Sequence, residues 1–498
     1  MDERSLVAAI DACDKALARE IRDHRLGMSE LYQTRVVWQV VRQNWAEVKA
    51  DCAKALAYNC RNGTIYLSRA RAHDATGDTE QCLSDLAACR ILMRDSRTAD
   101  CSPERERIDK FWQRVLLQRA RFEATQIMSQ RGPLFPSKLQ INTYMSAFIA
   151  DPLQTGNFDR SLRGFPRAYW AFREERFEDV IPACTEEIES AEDWAQHKAE
   201  ARLMRGTFHL LCGSSAECQQ DFDALIGDPQ VDATLRAYAL IRSAALRFQL
   251  CRGHEAMDAF EQAERLVRDN PDVHHQRGLI LRKLQQLETA LMDFEMAARL
   301  APGHVGPVAL KHFTEYHLAA RLNSPPRMET ALRKLGEMSA AYPNTIDGPV
   351  MKGRLMTERK DFVGALACFE EAIELAPKNS MLMTHWAVME LRRHNNAELI
   401  MPILYEAIEL DPRYHMPYGV LATLELKRNN PDKAVELLRQ SCLHCGTYNE
   451  VLHACCLRNA IVARTAAKRS LANDLGLDLG IDLDIDLAMV RHDQPPTV

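Results

Sequence analysis

The sequence predicts an all-α protein in which pairs of helices are repeated along the chain. Two stretches carry this prediction because they place small and large residues at matching spacings. The stretch 346–378 has its pattern at Gly353, Ala365, Phe369, Ala372 and Pro377, and the stretch 271–302 has it at Gly278, Ala290, Phe294, Ala297 and Pro302. Glycine and proline number only 21 each in 498 residues, which is too few for a turn-rich all-β protein.

This pattern is typical of tetratricopeptide repeats, in which each unit of about thirty-four residues folds as two helices. A small residue on each helix lets the two helices approach closely, and an aromatic residue fills the space beside the next pair. Each unit buries its apolar face only against its neighbours, so the units stack into a superhelical solenoid. We therefore expect a tetratricopeptide-repeat solenoid in two parts, without β-sheet.

Length and composition exclude several classes of protein. The 498 residues are too many for one compact core and suit several domains or a solenoid. The net charge is −6, and no basic run with interleaved aromatic residues is present, so a nucleic-acid partner is not expected. The 15 cysteines, without a secretory signal, indicate a reducing compartment. No apolar run is long enough to span a bilayer as a helix.

The amino-terminal part contains the first group of repeats. Residues 1–20 resemble the second helix of a repeat whose first helix would lie upstream, so we expect the first repeat to be incomplete. Full repeats follow at about 29–61 and 63–95, and a long helical stretch covers about 104–130. The expected amino-terminal repeat domain is therefore 1–130.

Prolines end this first group of repeats. Pro133 and Pro136 cannot continue a helix, so the sequence predicts a linker over 131–166. The repeats resume and continue to about residue 475, which predicts a carboxy-terminal repeat domain at 167–475. Residues 476–498 alternate Asp with Leu or Ile in part, and this composition is typical of a low-complexity acidic tail.

The sequence contains no convincing catalytic constellation. It has no phosphate-binding glycine loop and no GxSxG motif, so we expect neither an enzyme, nor a cofactor, nor a catalytic residue. Cys442 and Cys445 resemble one half of a metal knuckle, but no second half has a suitable spacing. Packing of these thiols on an apolar helix face is the preferred interpretation, and no metal site is expected.

A candidate groove can be read from the repeat pattern. The sixth position of each first helix is expected to face the concave surface of the solenoid. In the carboxy-terminal repeats this position is occupied by Arg242, Gln276, Met351, Trp386 and Val420. These side chains change from polar to apolar along the groove, which suits an amphipathic peptide. For Trp386 and Val420, packing against neighbouring helices is an equally open alternative.

Several stretches of the chain resemble one family. They are RGPLFPSKLQINTYMSAF at 131–148 and DVHHQRGLILRKLQQLETALMDFE at 272–295, with further matches at 31–56, 67–86, 199–213 and the terminal PPTV. Together they resemble the seventy-kilodalton receptor of the mitochondrial outer-membrane import translocase. The resemblance implies a receptor on the mitochondrial outer membrane that faces the cytosol. It implies mitochondrial precursor proteins and outer-membrane translocase subunits as partners, with precursors received by the carboxy-terminal domain.

The chain departs from this family at the chaperone clamp. Where the family holds a chaperone carboxylate with Asn, Lys and Arg, this sequence has Thr34, Thr64 and Ser68. A carboxylate is held best by charge-assisted donors, so docking of cytosolic heat-shock chaperones is not expected to carry over. The membrane anchor of the family has no counterpart in the chain. The alternative function is therefore a soluble, cytoplasmic tetratricopeptide co-chaperone or scaffold that has lost both anchor and clamp.

Overall fold

The computed structural model describes residues 3–19, 25–95 and 103–475, apart from positions 157, 162 and 395. The acidic tail expected at 476–498 lies outside the described residues. Within them the chain forms 25 α-helices, one short 3-10 turn at Phe177–Asp179 and no strand, so the prediction of an all-α repeat protein is confirmed.

The helices follow one another with short connections through most of the chain. In chain order they are α1 Glu3–Arg19, α2 Arg25–Val41, α3 Trp45–Tyr58, α4 Gly63–Ala75, α5 Thr79–Asp95, α6 Pro103–Gln130, α7 Lys138–Ser146, α8 Pro152–Thr155, α9 Gly164–Arg173, α10 Val180–Glu189, α11 Lys198–Cys212, α12 Ser215–Ile226, α13 Ala233–Gln249, α14 Gly253–Leu266, α15 Pro271–Lys283, α16 Leu287–Leu300, α17 Val305–Arg321, α18 Pro325–Ala341, α19 Asp347–Glu358, α20 Phe362–Leu375, α21 Ser380–Arg393, α22 Ala397–Leu410, α23 Met416–Lys427, α24 Pro431–His444 and α25 Tyr448–Leu475. None of them combines the length and the apolar character that a membrane crossing requires.

The helices form two compact units. Among the described residues, unit 1 contains those up to 131 together with 418–475, and unit 2 contains those from 132 to 417. In unit 1 the long helix α25 packs against α5 and α6. Its small and apolar residues Ala460, Ala463, Ala467 and Leu471 join the core that the amino-terminal helix pairs form. Unit 1 is therefore built from both ends of the chain.

Unit 2 carries helix pairs from α9 to α22. Its main core also includes buried residues of the stretch expected to be a linker, among them Ile141, Tyr144, Phe148 and Leu153. This stretch contains the helices α7 and α8 and packs on the repeats that follow it. The two compact units do not show which pieces of the chain fold independently. The boundaries 1–130, 131–166 and 167–475 therefore stay predictions.

The close approach of the two helices in a pair depends on a glycine. A Cβ placed on Gly278 would lie 2.8 Å from Cε1 of Phe294, and one on Gly206 would lie 2.7 Å from Cε1 of Phe222. The aromatic residue follows its glycine by sixteen residues in both pairs. The small-plus-aromatic pattern that was read from the sequence therefore marks the closest contact between the helices of a pair.

Gly278→Val is expected to lower the free energy of unfolding by about 1–3 kcal/mol, because the new side chain overpacks against the buried Phe294 ring. Urea unfolding followed by circular dichroism measures the loss. Gly253→Ala is the matched control, since a Cβ there meets no atom within 4 Å. An equally destabilised control, or an unchanged Gly278→Val protein, would contradict the assignment of Gly278 as a close-contact position.

Buried ion pairs join the two helices of several pairs at the same spacing. An arginine on the first helix binds an aspartate sixteen residues later on the second, with Nη2–Oδ1 distances of 2.6 Å for Arg69–Asp85, 2.7 Å for Arg205–Asp221 and 2.7 Å for Arg277–Asp293. Arg35 and Asp51 make the same pair in α2 and α3. In each case Nε donates to the second carboxylate oxygen, so the contact is bidentate.

The turn inside each pair also repeats. One residue takes a left-handed conformation at the end of the first helix, with φ of 80° at Gly213, 62° at Gln285 and 50° at Asn323. Left-handed backbone at this place satisfies carbonyl groups at the helix end and reverses the chain within a few residues. Glycine and asparagine adopt it readily, whereas Gln285 does so at a cost of about 1 kcal/mol. Packing of the pair therefore determines this turn more than its local sequence does.

Candidate peptide-binding groove

The first helices of neighbouring pairs in unit 2 lie side by side. Helix α13 contacts both α11 and α15, and α17 contacts α19. Side chains that point away from the second helices therefore form a wall along α11, α13 and α15 and along α17 and α19. The residues expected to line the groove in this unit are Arg242 on α13, Gln276 on α15, Met351 on α19 and Trp386 on α21.

A part of the chain itself lies against the polar end of this wall. We call residues 144–154, from the end of α7 through α8, the inner segment. The carboxylate of Asp272 accepts the backbone N–H of Ile149 at 2.6 Å and that of Ala150 at 2.8 Å. It also accepts the hydroxyl of Tyr238 at 2.5 Å. The wall thus recognises peptide backbone through a buried carboxylate.

The position of Asp272 follows from its local sequence. Asn270 caps α15 by accepting the N–H of Asp272 at 2.9 Å, and Pro271 occupies the first helical turn. A carboxylate in this turn is favoured by the helix dipole. Burial nevertheless raises the pKa of Asp272 above its ordinary value, and its three hydrogen bonds act in the opposite direction. Asp272 was not identified from the sequence, because the cap motif does not say what the carboxylate faces.

The side chain of Arg242 is completely buried beneath the inner segment. Its guanidinium forms an ion pair with Asp151, and the side chains of both residues are 0% exposed. The same group lies over the ring of Phe148, with Cζ 4.2 Å from the ring centroid. Arg242 therefore binds the chain's own inner segment in this structure and has no surface open to another peptide.

Gln276 also contacts the inner segment. Its side-chain amide donates to the carbonyl oxygen of Ala147 at 2.9 Å. The side chain is only half-buried, in contrast to Arg242. Arg242 and Gln276, the polar residues expected in the groove, therefore both contact the chain's own inner segment, and contact of either one with another peptide stays a prediction.

The apolar part of the wall is half-buried. Met351 packs against the cluster formed by Leu281, Ala290, Phe294 and Leu310. Trp386 is half-buried as well, and its Nε1 donates to Oε1 of Glu370 at 3.2 Å. Val420 is half-buried on α23 and belongs to unit 1. Contact of these residues with a peptide stays a prediction.

The expected clamp positions carry hydroxyl groups that bind their own helices. The Thr34 hydroxyl donates to the carbonyl of Glu30 at 2.9 Å, and the Ser68 hydroxyl donates to that of Thr64 at 3.0 Å. Thr64 is exposed in the first turn of α4. Arg35 and Arg69 are adjacent to clamp positions in sequence, and their guanidinium groups are committed to Asp51 and Asp85. The clamp positions thus offer a carboxylate no charged donor.

The cysteines of the half-knuckle lie in the core of unit 1. Cys442, Cys445 and Cys455 are buried together with Ala120, Ala124 and Val451. The Sγ atoms of Cys442 and Cys455 are 3.9 Å apart. Burial raises the pKa of the Cys445 thiol, which disfavours the thiolate that a metal ion would need. The thiols of Cys442 and Cys445 are thus packed between helices, and the expectation of no metal site stays a prediction.

Comparison with known proteins gives two kinds of similarity. No protein-family profile matches the chain. The mitochondrial import receptor subunit TOM70 of Homo sapiens is 26% identical over 479 residues, covering 92% of this chain and 76% of the relative. TOM70 of Mus musculus is 26% identical over 474 residues with the same coverage. The crystal structure of yeast Tom70 superposes with a TM-score of 0.56 at 20% identity, covering 94% of this chain and 93% of that one.

These similarities extend over nearly the whole chain. The resemblance to the seventy-kilodalton import receptor is therefore confirmed, and the superposition confirms a tetratricopeptide-repeat solenoid. The relatives are named as receptor subunits and not as enzymes.

Proposed function

We propose that this chain is a receptor that binds mitochondrial precursor proteins and passes them to the import translocase of the outer membrane. The observation that carries the proposal is the similarity to TOM70 over 92% of the chain. The proposed location is the cytosolic face of the mitochondrial outer membrane. Docking of heat-shock chaperones through the clamp positions is not part of the proposal, because Thr34, Thr64 and Ser68 offer no cation there.

The geometry of unit 2 supports a peptide-binding role. Asp272 and Gln276 already hold the backbone of the inner segment by hydrogen bonds, and the Tyr238 hydroxyl donates to the Asp272 carboxylate. Further along, Met351 and Trp386 are half-buried and leave apolar surface at the wall. A precursor helix with one apolar face could cover this surface, and its contacts with the two side chains would contribute on the order of 2–4 kcal/mol before ordering costs.

Changing Met351 and Trp386 to Ser together is expected to weaken precursor binding by about ten- to a hundredfold, because the apolar contact is lost. The measurement is a pull-down of a radiolabelled mitochondrial precursor by the full chain, with the helical content checked by circular dichroism. Met292→Ser with Phe122→Ser is the matched control, since these side chains are 71% and 64% exposed on other surfaces.

The same experiment separates the competing functions. Wild-type chain that binds precursor and co-purifies with translocase subunits from mitochondria supports the receptor. Binding that is equal in the Met351/Trp386 variant and in wild type would show that the peptide lies elsewhere. Wild-type chain that stays in the cytosol and captures neither precursor nor translocase would favour the co-chaperone or scaffold alternative.

A further inference from the structure

Two first helices of unit 2 bring positive side chains to one phenylalanine on a third first helix. Phe313 on α17 is buried, with 1% of its surface exposed. The Cζ atom of Arg282 on α15 lies 5.7 Å from its ring centroid, and that of Arg354 on α19 lies 5.1 Å from it. The ring of His317 lies 4.7 Å from the same centroid. Two guanidinium groups and an imidazole thus share one apolar support.

These arginines lack the counter-charge that the other repeat arginines have. In the helix pairs described above, each arginine has an aspartate sixteen residues later, whereas no hydrogen bond or ion pair joins the guanidinium group of Arg282 or Arg354 to any residue within the described ranges. The Nε of Arg282 is buried without a hydrogen-bond partner. Glu358 is the nearby carboxylate, but it lies 3.8 Å from Nε2 of His317 and its side chain is 42% exposed.

The electrostatics of the cluster agree with an uncompensated positive charge. Burial lowers the pKa of Arg282 and the charge of Arg354 lowers it further, while the charge of Glu358 acts in the opposite direction. Burial and both arginines lower the pKa of His317 to about 4, so its imidazole is neutral at pH 7. A half-buried cation without a partner is costly, and a bound anion would remove that cost.

We propose that Arg282 and Arg354 bind a carboxylate on an acidic polypeptide segment, with an adjacent apolar side chain of that segment lying against Met351. The proposal rests on the proposed peptide-binding function and names the chemistry of the bound segment. Guanidinium groups match a carboxylate in charge and in planar geometry. Met351 stands on the same helix as Arg354 and packs against the residues beside Phe313. The site therefore selects segments that combine a carboxylate with apolar residues, and it disfavours strongly basic ones.

The probe is a short synthetic peptide of alternating Asp and Leu residues, with the same peptide carrying Asn for Asp as its uncharged counterpart. Fluorescence anisotropy with the full chain measures both. We expect Arg282→Gln with Arg354→Gln to weaken binding of the acidic peptide by at least about tenfold, and to leave the Asn peptide nearly unchanged. Arg265→Gln with Arg333→Gln is the matched control, because those side chains are 76% and 63% exposed on second helices.

A second readout does not depend on the variants. Binding of the acidic peptide should raise the pKa of His317 from about 4 toward its ordinary value, because a carboxylate neutralises Arg282 and Arg354; nuclear magnetic resonance of the imidazole reports it. The groups facing that ring are Arg282, Arg354, Glu358 and the rings of Phe313 and Tyr316.

The outcomes separate this site from the receptor function. An acidic peptide that binds the double variant as well as wild type overturns the site, as does an oligonucleotide that binds more tightly than the peptide. If the acidic peptide binds through both arginines but no mitochondrial precursor binds the chain, the site stands and the receptor function fails. If precursors bind and the acidic peptide does not, the receptor function stands and the site fails.

Discussion

Asp151→Asn is expected to lower the free energy of unfolding by about 3–5 kcal/mol. Asp151 supplies the carboxylate for the guanidinium of Arg242, and both side chains are 0% exposed. Nε and Nη1 of Arg242 are already buried without a hydrogen-bond partner, so the carboxylate is the main compensation for this charge. Asn keeps the side-chain oxygen that caps α8 by accepting the N–H of Leu153, so the change isolates the loss of charge.

Urea unfolding followed by circular dichroism measures this loss. Glu261→Gln serves as the control, because the Arg265–Glu261 pair is 76% and 60% exposed and such surface pairs contribute about 0–1 kcal/mol. Asp151→Asn combined with Arg242→Met should recover much of the stability, since the unpaired charge is then removed as well. If Asp151→Asn and Glu261→Gln have equal stability, the prediction is wrong, and Arg242 finds another partner or remains hydrated.

Acidification from pH 6.5 to pH 4 is expected to destabilise unit 2 through His275. This side chain on α15 is 3% exposed, and burial lowers its pKa from 6.5 to about 4. The unfolded chain therefore binds a proton in this range that the folded chain does not bind, so the free energy of unfolding falls as the pH falls. A pKa difference of this size corresponds to roughly 3 kcal/mol.

His275→Leu removes the group and should flatten the dependence of stability on pH between 6.5 and 4. Part of the slope will remain, because His317 has a pKa lowered to about 4 as well. His254→Gln, at an exposed position of α14, should keep the wild-type dependence. Urea midpoints measured across this pH range decide the matter, and identical slopes for wild type and His275→Leu would contradict the assignment.

The helix pairs could be predicted because their residues repeat. Gly278 with Phe294 and Gly353 with Phe369 have the same spacing, and in the structure a Cβ on each glycine would lie 2.8 and 3.1 Å from the ring. The ion pairs between first and second helices had an equally regular signal, an arginine followed by an aspartate sixteen residues later. That spacing does not by itself predict a pair, because each charge alone is indistinguishable from a solvated surface residue.

The inner segment could not be predicted from such patterns. It occurs once, so no repeat supports it, and Pro133, Pro136 and Pro152 resemble the punctuation of a linker. Its packing depends on Asp272 and Arg242. Arg242 follows its partner Asp151 by more than ninety residues in the sequence. The repeat pattern predicts a groove position for Gln276, whereas it gives no indication of the Ala147 carbonyl that Gln276 contacts.

The packing of α25 was hidden for a similar reason. Ala460, Ala463 and Ala467 form an apolar face. This face predicts that the helix is buried, but it does not indicate which surface covers it. In the structure the face lies on the core of the amino-terminal helix pairs. Arg458 and Asn459 add hydrogen bonds to Glu123 of α6, at 2.8 and 2.7 Å.

This arrangement imposes an order on the synthesis of the protein. Glu123 and Arg458 are 335 residues apart, and at about 5–20 residues per second a ribosome needs roughly twenty to seventy seconds to make the intervening chain. During that time the apolar surfaces of α5 and α6 exist without α25. The amino-terminal helices thus leave the ribosome first, but their core is completed last. A nascent chain that is interrupted before residue 448 exposes the apolar surfaces of α5 and α6 to any holdase chaperone present.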